Sequence, residues 1–255
     1  NLPATKEIGG AHNIHIIEHL WLIDWNSAVA HGAPASSKPQ QIEWEGPKGS
    51  ESLESNTNNT QPDNYIPIFI AISQEGDSYP YNSIINGVTT LPSQLAIGAT
   101  WDLNLAESAG NVLGEELSIL GFNMLLGPSL DVLDVPYVEG GDDLGARTFG
   151  GDPFWVGELG KAYIKGVHVG SNNQIAVISK HFPGRGSSDR LPENEVATVR
   201  KSLEQLKQIE LAPFFSVTGN SPNEETTTDG LLMSHIRYQG FQGNIRSTTR
   251  PVSFD

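Results

Sequence analysis

Apolar positions in this chain fall into short runs that switch between two periods. Residues 66–72, Ile66-Pro67-Ile68-Phe69-Ile70-Ala71-Ile72, are apolar on both faces, as a strand buried in a parallel sheet would be. Across 104–120, Leu105, Ala109, Val112, Leu113, Leu117 and Leu120 recur at helical spacing, and Gly121 follows as a stop. A second strand is expected at 122–126, ending in Gly127-Pro128. A second helix is expected at about 153–169, with Pro153 in its first turn. A third strand at 175–179 leads to a helix carrying Leu203, Leu206 and Ile209 on one stripe, then to a strand at 230–234. Near the start, Ile14 to Ile17 and Leu20 to Ile23 are too short for periodicity to separate strand from helix. Residues 33–64, rich in Ser, Asn, Pro, Glu and Gln, read as a surface loop.

Strand and helix alternate, which is the signature of βαβ units and an α/β fold with a parallel sheet. Periodicity leaves a doubly wound sheet and a (β/α)₈ TIM-type barrel both open. In either, ligands bind at the carboxyl ends of the strands, so the segments that follow strands carry the interest.

Composition narrows the function classes. With 37% hydrophobic and 18% charged residues in 255, the chain suits a soluble globular protein. No apolar stretch approaches the roughly 20 residues that span a bilayer, so no transmembrane segment is expected. Thirty acidic against fifteen basic residues give a net charge of −15, a field that repels phosphate backbones and argues against nucleic acid as a partner. The absence of cysteine excludes disulfides, thiolate metal sites and a cysteine nucleophile. His12, His15 and His19 have metal-like spacing but no accompanying carboxylate pattern, and are read as scattered histidines. No metal or cofactor is expected. The chain opens at Asn1 without Met and reads as a trimmed or mature form, its location open with an extracytoplasmic one favoured.

Three polar segments follow predicted strands. They are Ser73-Gln74-Glu75-Gly76-Asp77, then Ala146-Arg147-Thr148-Phe149-Gly150-Gly151-Asp152-Pro153, then Lys180-His181-Phe182-Pro183-Gly184-Arg185-Gly186. The Lys180-His181 pair beside a Pro-Gly turn can donate hydrogen bonds to sugar hydroxyls. The plainer alternative is a capped strand end with a solvated lysine.

In order and spacing these segments resemble the N-terminal domain of family 3 glycoside hydrolases, most closely the β-N-acetylhexosaminidase branch. The resemblance spans residues 66–255. It also rests on Leu91-Pro92-Ser93 with Gly98-Ala99-Thr100, Gly127-Pro128-Ser129-Leu130-Asp131-Val132, Ser202-Leu203-Glu204, Glu210-Leu211-Ala212-Pro213-Phe214 and Met233-Ser234-His235-Ile236. Residues 1–65 do not match the pattern and stand as a separate N-terminal segment. The resemblance implies a (β/α)₈ barrel that hydrolyses terminal β-linked sugars with retention, using a carboxylate nucleophile and an acid on the opposite side. It makes a carbohydrate the expected partner and assigns Arg147, Lys180 and His181 to the sugar. Asp131 could orient Lys180 or Arg147, or be a buried structural carboxylate.

Three departures bear on this. The family's Asp-Gln-Glu-Gly-Gly-Arg becomes Ser73-Gln74-Glu75-Gly76-Asp77-Ser78, with Tyr81 at a further arginine, so a neutral serine stands where a carboxylate grips hydroxyls. The loop after Lys180-His181 is Ser187-Ser188-Asp189-Arg190-Leu191-Pro192 and lacks the family's acid/base histidine. Asp189 is the candidate acid there, with Glu193 and Glu195 slightly beyond. Arg250 to Asp255 resembles the stretch that precedes the nucleophile, so the nucleophile is expected to be missing from this chain and the barrel to be incomplete at its C-terminus. Two alternatives to a hexosaminidase are a β-glucosidase-type enzyme of the same family and a sugar-binding pseudoenzyme.

Overall fold

The computed structural model describes residues 21–22, 68–76, 82–134, 144–190, 195–218 and 224–255. The expectations for residues 1–20, for the loop at 33–64, and for Asp77, Ser78, Tyr81 and Glu193 lie outside the described residues.

Four parallel strands form the frame: β2 (Ala71–Ile72), β3 (Met124–Ser129), β4 (Ala176–Phe182) and β6 (Gly230–Met233). The sheet order is β1-β6-β4-β3-β2, where β1 (Trp21–Leu22) joins antiparallel at the β6 edge. The four expected strands are thus adjacent and parallel, but the first is a strand only at Ala71–Ile72, and Ile68 and Phe69 before it are exposed rather than buried. The ambiguous segment near residue 21 is a strand. β5 (Thr198–Val199) and β7 (Arg237–Tyr238) pair parallel in a separate two-stranded sheet. The chain is α/β with parallel βα units, and among the described residues the main sheet has two ends.

The helices cap as their sequences dictate. In α1 (Gln94–Gly98), the Ser93 hydroxyl accepts from Ala96 N–H; in α2 (Leu103–Ile119), Asp102 accepts from Asn104 N–H. The N-cap of α3 (Pro153–Gly170) is Asp152, which takes both Phe154 and Trp155 N–H groups at 3.0 and 3.1 Å. α4 (Leu203–Gln208) opens with a capping box between Ser202 and Gln205. α5 (Ala212–Val217) and α6 (Gln239–Gln242) are short.

The apolar stripe of α2 differs from the expectation. Ala109, Leu113 and Leu117 are buried, but Leu105 and Leu120 are half exposed. Much of the α2–α3 contact is made by glycine. A Cβ on Gly110 would lie 2.2 Å from the Tyr163 carbonyl, and one on Gly166 would lie 2.0 Å from the Glu107 carbonyl. The two backbones touch there, and α3 is in turn buried on β3 and β4 through Val156, Leu159, Ile164 and Val167.

Two boundaries matter for the site. β3 runs on to Ser129 and β4 to Phe182, so Lys180 and His181 lie inside a strand end rather than in the loop after it. The register pairs Ser129 with Lys180 and Lys180 with Leu232.

Candidate functional site

Apart from Asp189, the candidate residues lie in or after the carboxyl ends of β2, β3 and β4. Glu75 follows β2 and is held by a short bracket: the Gln74 side chain both donates to and accepts from the Ile84 backbone, and Asn82 Oδ1 accepts from Gly76 N–H at 2.7 Å. Arg147 ends a 3₁₀ turn, Gly145–Arg147, whose next residue, Thr148, donates its hydroxyl to the Asp131 carbonyl. Asp131 lies just past β3, and Lys180 and His181 lie on β4.

These residues form two linked groups. In the first, Lys180 Nζ makes an ion pair with Glu75 Oε1, and Arg147 Nε lies 4.0 Å from Glu75 Oε2. Both Glu75 and Lys180 are buried, so the reading of Lys180 as a solvated cap fails: its Nζ is turned onto a carboxylate instead of water. In the second, His181 Nδ1 lies 2.7 Å from Asp131 Oδ2. Asp131 has no exposed surface and also accepts the Ser129 hydroxyl at 2.9 Å and the Arg185 N–H at 2.7 Å. Its partner is thus the histidine and the loop after β4, not Lys180 or Arg147.

The environment sets the charges. Burial pushes the Glu75 carboxyl up, but the Lys180 ammonium, with His181 and Arg147 behind it, pulls it below the usual carboxylate range. Burial likewise acts against the Asp131 carboxylate, yet His181 and Arg185 bring it down to about 2. For His181, burial pushes the imidazole down, Asp131 pulls it up, and Arg185 and Lys180 push it down again. It ends below its ordinary range. Near neutral pH the ring is therefore neutral. Its Nδ1–H donates to Asp131, and the Nε2 lone pair is left as an acceptor. The side chain keeps 16% exposure while Asp131 keeps none.

These groups combine two cations and a neutral acceptor, held by two ionised carboxylates. That combination suits a polyhydroxylated neutral ligand, whose hydroxyls both donate and accept. Among the described residues no group of acids and histidines is arranged to hold a metal ion.

Asp189 is placed differently. Its carboxylate accepts Thr198 N–H at 2.8 Å and lies 3.3 Å from both Arg190 Nε and Arg200 Nη2. These partners belong to the β5 edge rather than to the Glu75 group. Glu195 is mostly exposed and pairs with Arg190. Glu75 is the residue that sequence reasoning undervalued. It stood in a quoted motif after a strand, but nothing local marked it as the common partner of Lys180 and Arg147.

The sequence pattern of the Glycosyl hydrolase family 3 N terminal domain matches residues 40–254. Similar curated proteins include the beta-hexosaminidase of Hydrogenovibrio crunogenus, 27% identical over 74% of this chain and 50% of that protein. Another is the beta-hexosaminidase of Nitrosomonas eutropha, 30% identical over 70% of this chain and 49% of the relative. The chain spans about half the length of these relatives. Among solved structures, a family 3 beta-N-acetylglucosaminidase from Paenibacillus sp. superposes with a TM-score of 0.62 at 31% identity, over 73% of this chain and 32% of that one. NagZ from Neisseria gonorrhoeae, solved with N-trifluoroacetyl-D-glucosamine, gives 0.58 at 26% identity, over 72% of this chain and 50% of that one.

Proposed function

This chain belongs to glycoside hydrolase family 3 through that family's N-terminal domain, and from this membership we propose that it is the sugar-binding part of a β-N-acetylhexosaminidase-like glycosidase. The substrate is a terminal β-linked N-acetylhexosamine, cleaved with retention. One observation carries the reading: Glu75 collects Lys180 and Arg147 at the strand ends, beside a His181 that is held by Asp131. Lys180 and Arg147 donate to ring hydroxyls or the N-acetyl carbonyl, and His181 Nε2 accepts from a hydroxyl. Ser73, at the end of β2, supplies a neutral hydroxyl where the family pattern has a carboxylate, which weakens the grip on that side of the sugar.

The acid and nucleophile roles are less well supplied. Asp189 remains the candidate acid, although Thr198, Arg190 and Arg200 already occupy its carboxylate. That occupation favours a second reading, a sugar-binding domain without catalysis of its own. Titration of the 255-residue chain with N-acetylglucosamine and with glucose tests the binding reading. Saturable binding of the first, stronger than of the second and lost in Lys180→Met, is expected. Aryl β-N-acetylglucosaminide should be bound but not turned over, because no nucleophile is matched in these residues. Robust turnover would instead point to Glu75 or Asp131 as the nucleophile.

A further inference from the structure

A second buried ion cluster joins the segments that follow β3, β5 and α4 and takes no part in the sugar chemistry above. Lys201, shortly after β5, places Nζ 2.8 Å from Asp134 Oδ2 and 3.0 and 2.9 Å from the two Glu210 oxygens. Glu210 follows α4 and has no exposed surface, and Lys201 is only 11% exposed. Burial raises the Glu210 carboxyl above its ordinary range against the pull of Ser187 and Lys201. A buried carboxylate held by one ammonium is a costly element compared with apolar packing, so its geometry rather than its energy calls for an account.

The cluster grips the loop that follows Lys180-His181. Ser187 donates its hydroxyl to Glu210 Oε1 at 2.5 Å. Gly184, at φ +111°, packs so closely on Glu210 that an added Cβ would lie 2.7 Å from the Glu210 Cβ. Tyr238 donates its hydroxyl to the Gly184 carbonyl at 2.8 Å. Between Gly184 and Ser187 stands Arg185, whose backbone N–H is the 2.7 Å donor to Asp131 Oδ1. Asp131 in turn sets the tautomer of His181. An unbroken chain of contacts therefore runs from Lys201 through Glu210 and Ser187 to Arg185, Asp131 and His181.

We propose that Lys201 is a positioning residue for the sugar site: through Glu210 and Ser187 it holds loop 184–187 against the end of β3, so that Arg185 N–H stays on Asp131 and Asp131 orients His181. Asp134, on the segment after β3, is tied to the same ammonium, so one cation aligns the ends of two strands. The proposal rests on the reading of His181 as a sugar ligand only for its consequence on binding. Its effect on the imidazole stands apart.

The experiment uses nitrogen-detected NMR titration of the histidines in the 255-residue chain, with N-acetylglucosamine titration as a second arm. His181 faces Asp131, Arg185, Lys180 and Glu75, whereas His168 contacts Asp229 and Glu225 and serves as the internal control. In Lys201→Met the His181 midpoint should move up, because the Arg185 cation and the dry packing that hold it low both relax. His168 should stay, and Lys201→Arg should keep the His181 midpoint close to that of the wild type. Removal of Lys201 leaves Glu210 buried without its cation, so Ser187→Ala provides a milder variant. It deletes only the hydrogen bond to the loop and should move His181 in the same direction by less. Sugar affinity should fall about tenfold in Lys201→Met, in step with the His181 shift. An unmoved His181 in folded Ser187→Ala, or equal movement of His168 and His181, overturns the positioning role. Failure of the wild-type chain to bind N-acetylglucosamine refutes the sugar reading, while the His181 arm still decides the role of Lys201.

Discussion

His181 Nδ1 lies 2.7 Å from Asp131 Oδ2, and this bond joins a β4 side chain to a carboxylate that has no contact with solvent. Asp131 should therefore be felt as acid stability. Its carboxyl is lowered from 3.8 to about 2 in the folded chain. A depressed value stabilises the fold above the unfolded value and is lost as pH falls through the folded one. The linkage amounts to about 2 kcal/mol, lost between pH 4 and 2. Asp131→Asn keeps the shape but presents an amide donor to donors, and should cost about 3 kcal/mol at neutral pH. Urea unfolding from pH 2 to 7 checks both effects: the variant should be weaker at neutral pH and less sensitive to acid. Equal acid sensitivity in the two proteins would show that other carboxylates carry the loss.

The buried pair of Lys180 and Glu75 separates stability from binding. Lys180→Met leaves Glu75 enclosed without its nearest cation, with Arg147 Nε at 4.0 Å, and should cost about 3–5 kcal/mol. Adding Glu75→Gln removes the stranded charge and should return part of that stability. Sugar binding should not return, since the ammonium donor is gone. Denaturant melts of the two single variants and the double variant, with sugar titrations on each, give the comparison. Recovery of binding in the double variant would remove Lys180 from the ligand set.

His168 on α3 gives an alkaline counterpart. Its Nδ1 meets the Glu225 carbonyl at 2.8 Å and its Nε2 meets Asp229 Oδ2 at 3.0 Å, while the same Asp229 oxygen accepts Val177 N–H on β4. Burial pushes the imidazole down, but Asp229 outweighs it, and the value ends above 6.5. A raised value stabilises the fold fully below the unfolded value and loses that contribution as pH rises through the folded one. Thermal unfolding between pH 6 and 9 should show Tm falling with pH, and His168→Gln should flatten the slope. An unchanged slope in the variant would assign the alkaline loss elsewhere.

The glycine contact between α2 and α3 predicts a steric penalty. Gly166→Ala would set a methyl 2.0 Å from the Glu107 carbonyl and 2.8 Å from Asn111 N. The helices must separate, at about 1–3 kcal/mol, which outweighs the gain in helix propensity of about 1 kcal/mol. A urea midpoint equal to or above that of the wild type would contradict this packing.

The order of strands and helices was legible because burial leaves a local periodic trace. Ala109, Leu113 and Leu117 recur at helical spacing and are buried, whereas the strand read across 66–72 is realised only at Ala71–Ile72, with Ile68 and Phe69 exposed. Cap residues such as Asp152 and Ser202 act over three or four positions and are equally local. The Lys180-His181 pair beside a Pro-Gly turn stood out locally, whereas Arg147 and Asp131 were singled out only through the family resemblance. Strand ends were less legible. Lys180 belongs to β4 because it pairs with Ser129 of β3 and Leu232 of β6, and His181 falls in the irregularity between that pair and Phe182–Met233, a fact of register between distant segments. Glycine at the α2–α3 contact left no hydrophobic trace, because close approach is signalled by a missing side chain.

Partnership was decided by the tertiary structure alone. Glu75 receives Lys180 and Arg147 because the ends of β2 and β4 and the turn after β3 converge on it. Asp131 turns to His181 and Arg185 rather than to the lysine, and Lys201 finds Asp134 and Glu210 across three segments. A charge carries no periodicity that names its counter-ion. Coulomb attraction and hydrogen bonding act over a few ångströms of space, and only the folded chain brings those few ångströms together.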